Sequence, residues 1–328
     1  MKSSRENVVA AIEFGTPDRL PVVFDAFGVS DTHGVGWNQI GTGDHEQHLT
    51  YDEWNCGWSR SEMKNMGQVT IHPLDDWAKL SSYKWPDPDN PAFYDGMEAR
   101  FEGGEEKYLM TSIFMVFFER LHSLRGFQNL LTDLYVEQEK IADLADRVVE
   151  INVAIIQNIS RRFPGMIQGI SFTDDWGTEK DVFINPDLWN EFFRPRYKKI
   201  FDACKAAGWH VWLHSCGKVN KIIGDLIDIG VDVLNLQQPT VLGIEEIGKE
   251  FAGKVCFQSL CDIQMTLPFK DGDDIVQEAH QLIEHWGTDT GGFILGDYGD
   301  GEAINVPLRK KRIMFDAFLD ADRWKRGA

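Results

Sequence analysis

The chain has 328 residues, 43% of them hydrophobic, enough for a large core and within the size at which a (β/α) barrel forms one unit. A formal net charge of −19 and a pI near 4.8 argue against nucleic acid, which needs a basic stripe, and against an anionic membrane surface. Five cysteines, at 56, 204, 216, 256 and 261, have no regular spacing, so a reducing cytoplasm is expected rather than a disulfide framework.

Asn7 to Phe14 reads as a short amphipathic helix stopped by Gly15 and Pro17. Nothing before it has the apolar run of a signal peptide, and no later stretch reaches the roughly 18 apolar residues of a membrane span. Leu20 to Phe24 is a first strand with Asp25 at its end. From Ser30 to about Gly104 follows an irregular segment holding Trp37, Trp54, Trp58, Trp77 and Trp85, with His33, His45, His48 and His72. A stretch this long without a period reads as a functional loop or lid. Its histidines fit no zinc spacing and are expected to be solvated. Tyr108 to Phe118 is a strand merging into a helix. Leu130 to Phe163 is helical by the spacing of Leu131, Leu134, Ile141, Leu144, Val148, Ile151 and Ile155.

Met166 to Phe172 is a strand ending in Thr173-Asp174-Asp175-Trp176-Gly177. Asn185-Pro186 opens a helix, a capping side chain followed by proline in the first turn, which is expected to kink at Pro195 and stop at Gly208. Trp209 to Leu213 is a buried strand running into His214, with a helix from the following turn to Gly230. Val231 to Leu236 and Lys254 to Leu260 are strands, the second ending in Cys261-Asp262. A helix capped at Asp273 or Asp274 runs to Trp286. Gly292 to Leu295 is a strand ending in Asp297-Tyr298, and Val306 to Leu319 is the closing helix. About seven short strands alternating with helices predict a parallel sheet, and the late return of the last favours a closed barrel.

In such a barrel all strand ends share one rim. Here they offer Asp25, Asp174 and Asp175, His214 and Cys216, Gln237 and Gln238, Cys261 and Asp262, and Asp297. His214 and Cys216, one residue apart, can give two ligands to a borderline-soft metal such as zinc. By chemistry Cys261 is a candidate third ligand and Asp297 another. Asp25, Asp175 and Asp262 are candidate catalytic carboxylates, although a strand-end aspartate is as often a turn or a cap. Cys204 and Cys256 lie within elements and read as core.

Several runs, in this order, carry a family pattern: Arg19-Leu20-Pro21-Val22, Asp52-Glu53-Trp54, His72-Pro73-Leu74-Asp75-Asp76-Trp77, Tyr83-Lys84-Trp85-Pro86-Asp87-Pro88, Thr173-Asp174-Asp175-Trp176-Gly177-Thr178, Asn185-Pro186-Asp187-Leu188-Trp189, His214-Ser215-Cys216-Gly217, Gly230-Val231-Asp232-Val233-Leu234-Asn235 and Gly291-Gly292-Phe293-Ile294-Leu295. Over nearly the whole chain this resembles the uroporphyrinogen decarboxylase-like superfamily, and within it the cobalamin-dependent methyltransferase branch. The resemblance implies a (β/α)8 barrel with an amino-terminal lid. Where the decarboxylases carry Arg-Gln-Ala-Gly-Arg-Tyr, this chain has Phe27-Gly28-Val29-Ser30-Asp31-Thr32, so porphyrinogen is not the expected ligand. The methyltransferase branch binds zinc through His-x-Cys and a later cysteine. His214 and Cys216 match the pair, but Gly296-Asp297-Tyr298-Gly299-Asp300 lacks the third. Either Cys261 or a carboxylate such as Asp297 takes its place, or the metal has been lost.

The implied activity is methyl transfer between a small methylated ether or thiol and a corrinoid. No corrinoid-binding Asp-x-His-x-x-Gly segment is read in the chain, so the corrinoid is expected on a separate protein. The competing expectations are a metal-free lyase using Asp25 or Asp175, and a barrel that has lost catalysis and serves in assembly.

Overall fold

A computed structural model describes residues 1–39, 49–59 and 67–325. Its centre is a parallel sheet of seven strands. The barrel strands are β1 (Val23–Phe24), β2 (Thr32–Gly34), β3 (Tyr108–Ile113), β4 (Gly169–Thr173), β5 (His210–His214), β6 (Val233–Leu236), β7 (Cys256–Ser259) and β8 (Phe293–Leu295). Strands β2 to β8 pair in chain order, every neighbour parallel. The segment entering β1 closes the ring. Val22 bridges to Leu295 of β8, and its carbonyl accepts from the Asp31 amide, just before β2, at 2.7 Å. This is the α/β barrel of the TIM type that the strand–helix alternation predicts.

Each strand turns alternate residues into the barrel. Tyr108, Trp212, Val233, Cys256 and Ile294 form an apolar layer inside it, closed from below by Val8, Ala11 and Ile12 of helix α1 (Ser4–Ile12). Two residues further along β5, β6 and β7 the inward positions become His214, Asn235 and Gln258. The inside therefore changes from apolar to polar at the upper rim. The outer faces pack against the helices that follow the strands, as when Phe257 meets Trp286 with ring centres 4.6 Å apart.

Several elements differ from the sequence expectation. β2 was hidden in the segment read as irregular, because three residues without an apolar run give no periodic signal. The helix expected over Leu130–Phe163 is two, Phe127–Val136 and Gln138–Arg162, broken at Glu137, whose backbone leaves helical geometry. The kink expected at Pro195 is absorbed one turn earlier, by a π-helical turn at Trp189–Phe193 that hands over to helix Arg194–Ala206. Within the amino-terminal segment an antiparallel sheet is formed by Leu49–Tyr51, Gly57–Ser59 and Gln68–Ile71. It is pinned to helix α2 (Phe118–Arg125) by a buried ion pair in which Arg120 Nη1 lies 2.6 Å from Asp52 Oδ2. His33 and His72 are not solvated: their ring nitrogens bond the carbonyls of Arg100 at 2.7 Å and Ser123 at 2.8 Å. His45 and His48 lie outside the described residues. No helix among the described residues is long and apolar enough to cross a membrane.

Candidate functional site

Strands β4 and β5 continue their pairing into the loops beyond them. The Asp174 amide donates to His214 O at 3.0 Å, Gly177 N to Cys216 O at 3.2 Å, and Lys218 N to Thr178 O at 2.8 Å. Trp176 N adds a bond to Ser215 Oγ at 2.9 Å. This zipper works because both loops carry glycine where they touch. A Cβ on Gly217, which has φ +79°, would sit 2.3 Å from the Gly177 carbonyl group. The two loops are thereby fixed to each other, and with them the side chains they carry.

The consecutive aspartates divide the work. Asp174 is fully buried and turns away from the rim. It accepts from the amides of Phe117, Phe118 and Glu119 at 3.0, 2.8 and 2.6 Å, and from the Tyr197 hydroxyl, so it caps the amino terminus of α2. Asp175 turns into the rim. Its Oδ1 accepts from Cys216 N at 2.8 Å and lies 3.5 Å from His214 Nε2. His214 Nε2 is 3.4 Å from Cys216 Sγ, and His214 Nδ1 is 2.6 Å from Asn235 Oδ1. One oxygen of Asp175, one nitrogen of His214 and the sulfur of Cys216 lie within 4.8 Å of one another, each residue half-buried.

The charge around this group is negative. Burial pushes the Cys216 thiol well above its usual range, and the carboxylates of Asp175, Glu119 and Glu179 push it further. A cation is what such a set lacks: it would favour the thiolate and balance Asp175. Nitrogen, sulfur and oxygen donors at this spacing suit zinc, and three protein ligands are the number of a catalytic zinc site rather than a closed structural one. On that test the residues fit the metal.

Glu119, one position before Arg120 on α2, is buried against the same loop and has one carboxyl oxygen without a partner. Burial raises its pKa, and the neighbouring charges of Asp175 and Asp174 raise it further. Burial raises the Asp174 pKa as well, to about 7, but the hydrogen bonds from the Glu119 amide, Tyr197 and the Phe118 amide oppose it, so of the two buried carboxyls Glu119 holds a proton more readily. Burial also holds His122, one turn on, down at about 4, hence neutral. Tyr298, after β8, has its phenol raised by burial and then by the charges of Cys216, Asp300 and Asp175. A separate cavity of about 240 Å³ is lined by Tyr51, Asp52, Glu53, Trp58, Phe114 and Arg120, and by none of the three donor residues.

Of the residues singled out from sequence, His214, Cys216 and Asp175 come together, Asp175 as a ligand candidate rather than a lone catalytic carboxylate. The other four lie elsewhere. Cys261 is buried on the outer side of the barrel, its thiol donating to the Ile275 carbonyl in helix Gly272–Trp286 at 3.4 Å. It shares the outward parity of Phe257. Asp297 also points outward, into a buried ion pair with Lys311 at 2.7 Å, and accepts from Ala26 N at 3.1 Å. Asp262 is a turn cap, accepting from the amides of Gln264 and Met265, each at 2.8 Å, and from Thr240. Asp25 is exposed in the turn Asp25–Phe27. Sequence reasoning passed over Glu119 and the partnership of Asn235 with His214. A charged pair, Glu119-Arg120, directly after Phe117-Phe118 was the available signal for the first.

The expectation that no Asp-x-His-x-x-Gly segment occurs is corrected by Asp31-Thr32-His33-Gly34-Val35-Gly36, which has that spacing. Here that run includes β2. Asp31 is bound to Arg19 and Ser4, and His33 is committed to Arg100 O, so no imidazole is presented.

Residues 109–320 match the uroporphyrinogen decarboxylase (URO-D) family. The chain belongs to this family. No curated protein matches its sequence. Among solved structures this URO-D family member superposes on a methyltransferase from Methanosarcina mazei with TM-score 0.68 and 15% identity, over 98% of this chain and 99% of that one. The two share a fold. A xylanase 10B from Thermotoga maritima overlaps at TM-score 0.40 and 11% identity, over 90% of this chain and 85% of that one.

Proposed function

We propose that this URO-D family protein is a methyltransferase, moving a methyl group between a small methylated ether or thiol and a corrinoid carried by a separate protein. One observation carries the reading: imidazole, thiol and carboxylate donor atoms meet within 4.8 Å at the carboxyl rim of the barrel, where the chemistry of this fold is sited. The fold shared with the methanosarcinal methyltransferase supports it. His214 Nε2, Cys216 Sγ and Asp175 Oδ1 would hold zinc, which when bound supplies a Lewis acid for the negative charge on a thiolate or alkoxide. The corrinoid supplies the cobalt that carries the methyl group.

The chain's own residues prepare the site. Asp175 offers the carboxylate oxygen, and burial together with the charges of Asp175 and Asp174 favours the neutral form of Glu119 beside it. The stacked rings of Phe118 and Trp176, 4.0 Å apart, anchor the Asp175 loop in the core. The antiparallel sheet of Leu49–Tyr51, Gly57–Ser59 and Gln68–Ile71 serves as the lid.

Protein purified without added metal or chelator is expected to carry about one zinc per chain, and His214→Ala and Asp175→Ala little. Under anaerobic conditions the zinc form should methylate cob(I)alamin or a corrinoid protein from one or more of a panel of methyl ethers and thiols. No transfer from any of them overturns the proposal. A reaction untouched by chelator and by Cys216→Ser would instead favour a metal-free lyase built on Asp175.

A further inference from the structure

We propose that Asn235 sets the tautomer of His214 and so leaves a lone pair rather than a hydrogen on the ring nitrogen that faces Cys216 and Asp175. The inference deepens the metal-site reading above and rests on it for its consequence, though not for its geometry. Parallel register places His214 of β5 beside Asn235 of β6, and Asn235 beside Gln258 of β7. All three point into the barrel, one step above its apolar layer. Asn235 Nδ2 donates to the backbone carbonyl of Gln258 at 3.3 Å. A carbonyl oxygen only accepts, so the amino end of the Asn235 amide belongs on that side and Oδ1 on the other. That oxygen lies 2.6 Å from His214 Nδ1, and it too only accepts. Nδ1 therefore carries the hydrogen.

Neutral His214 is thus left with its lone pair on Nε2, the nitrogen 3.4 Å from Cys216 Sγ and 3.5 Å from Asp175 Oδ1. Turning the amide over would set Oδ1 against the Gln258 oxygen, two acceptors facing each other, so the backbone of β7 holds the arrangement. Free neutral imidazole prefers the opposite tautomer, with its hydrogen on Nε2. Without Asn235 the ring would spend much of its time with a hydrogen where a ligand lone pair is needed. Asn235 is a positioning residue: it touches no reacting atom and acts through His214.

The first test needs no metal. In metal-free protein labelled with 15N-histidine, at a pH where the imidazole is neutral, long-range 1H–15N correlations report which nitrogen is protonated, and His214→Gln assigns the signal. The wild type is expected to show Nδ1–H alone. Asn235→Leu, similar in size but without the acceptor, should show Nε2–H or a mixture; Asn235→Asp keeps an acceptor beside Nδ1, although its second oxygen meets the Gln258 carbonyl, and should restore Nδ1–H. Wild-type His214 with its hydrogen on Nε2, or an Asn235→Leu signal like the wild type, overturns the proposal, and the wild-type spectrum decides even if a variant fails to fold.

The second test is cobalt(II) titration read by the thiolate-to-cobalt charge-transfer band. Apparent affinity should fall about 10- to 100-fold in Asn235→Leu and recover in Asn235→Asp. Equal affinity in wild type and Asn235→Leu sinks the proposal while leaving the metal site standing. No band in any protein, with the tautomer result as expected, removes the metal reading and leaves the role of Asn235 intact.

Discussion

Glu278 shows what a single buried carboxyl does when its neighbours donate hydrogen bonds but bring no cation. One oxygen accepts from Asp262 N at 2.6 Å and the other from the Thr266 hydroxyl. Burial pushes its pKa up to about 7 from an ordinary 4.5, with the charges of Asp262 and Asp274 acting the same way and the two hydrogen bonds opposing. Because the folded value is raised, the native state binds this proton more tightly than the unfolded chain does. Its contribution is complete below about pH 4.5 and is lost as pH rises through 7. The loss is on the order of 2–3 kcal/mol. Glu278→Gln keeps an acceptor for Asp262 N and offers an amide to Thr266, but does not titrate. Urea unfolding at pH 4.5 and at pH 8 should show the wild type losing that amount relative to the variant. A pH-independent difference would mean that Glu278 ionises alike in both states.

The paired loops after β4 and β5 form the element that makes the site. Neither loop alone holds three ligand candidates; their backbone zipper brings Asp175 to His214 and Cys216. Gly217 is its tightest point, with a left-handed backbone and the Gly177 carbonyl group 2.3 Å from where a Cβ would go. Gly217→Ala should therefore cost on the order of 1–3 kcal/mol through backbone strain and displacement. It should also lower zinc content although no ligand is changed. Gly299→Ala is the control, since it lies in another rim loop and its Cβ meets nothing within 4 Å. Melting temperature and metal analysis on the two variants separate the cases. Wild-type values for both in Gly217→Ala would mean that the loops are slack.

At the scale of the whole molecule, the barrel is sealed where its first and last strands meet. Asp297 stands at that seam, tied to Lys311 on helix Leu308–Asp320 and to the Ala26 amide just past β1, with both charged side chains about 4% exposed or less. Asp297→Ala leaves the lysine buried without its counter-charge and should cost about 3–5 kcal/mol. Zinc content should not change. Loss of metal with little loss of stability would return Asp297 to the ligand set.

Sequence by itself determined the class of fold, because strand and helix alternation is a local signal, and much of the rim, because residues at strand ends meet there whatever the details. His214 and Cys216 were legible as a pair for the same reason: one residue apart at a strand end, they need no distant partner to be neighbours. Tertiary structure decided which carboxylate joins them. Asp174 and Asp175 are indistinguishable in the sequence until the amino terminus of α2 claims the first and the Cys216 amide the second. Cys261 and Asp297 carried suitable chemistry, but the alternation of the pleat turned them outward, to Ile275 and Lys311. Asn235 became visible only through register, which sets three strands distant in the chain side by side. Local periodicity encodes which residues reach the rim; which of them face one another depends on partners brought by the rest of the fold.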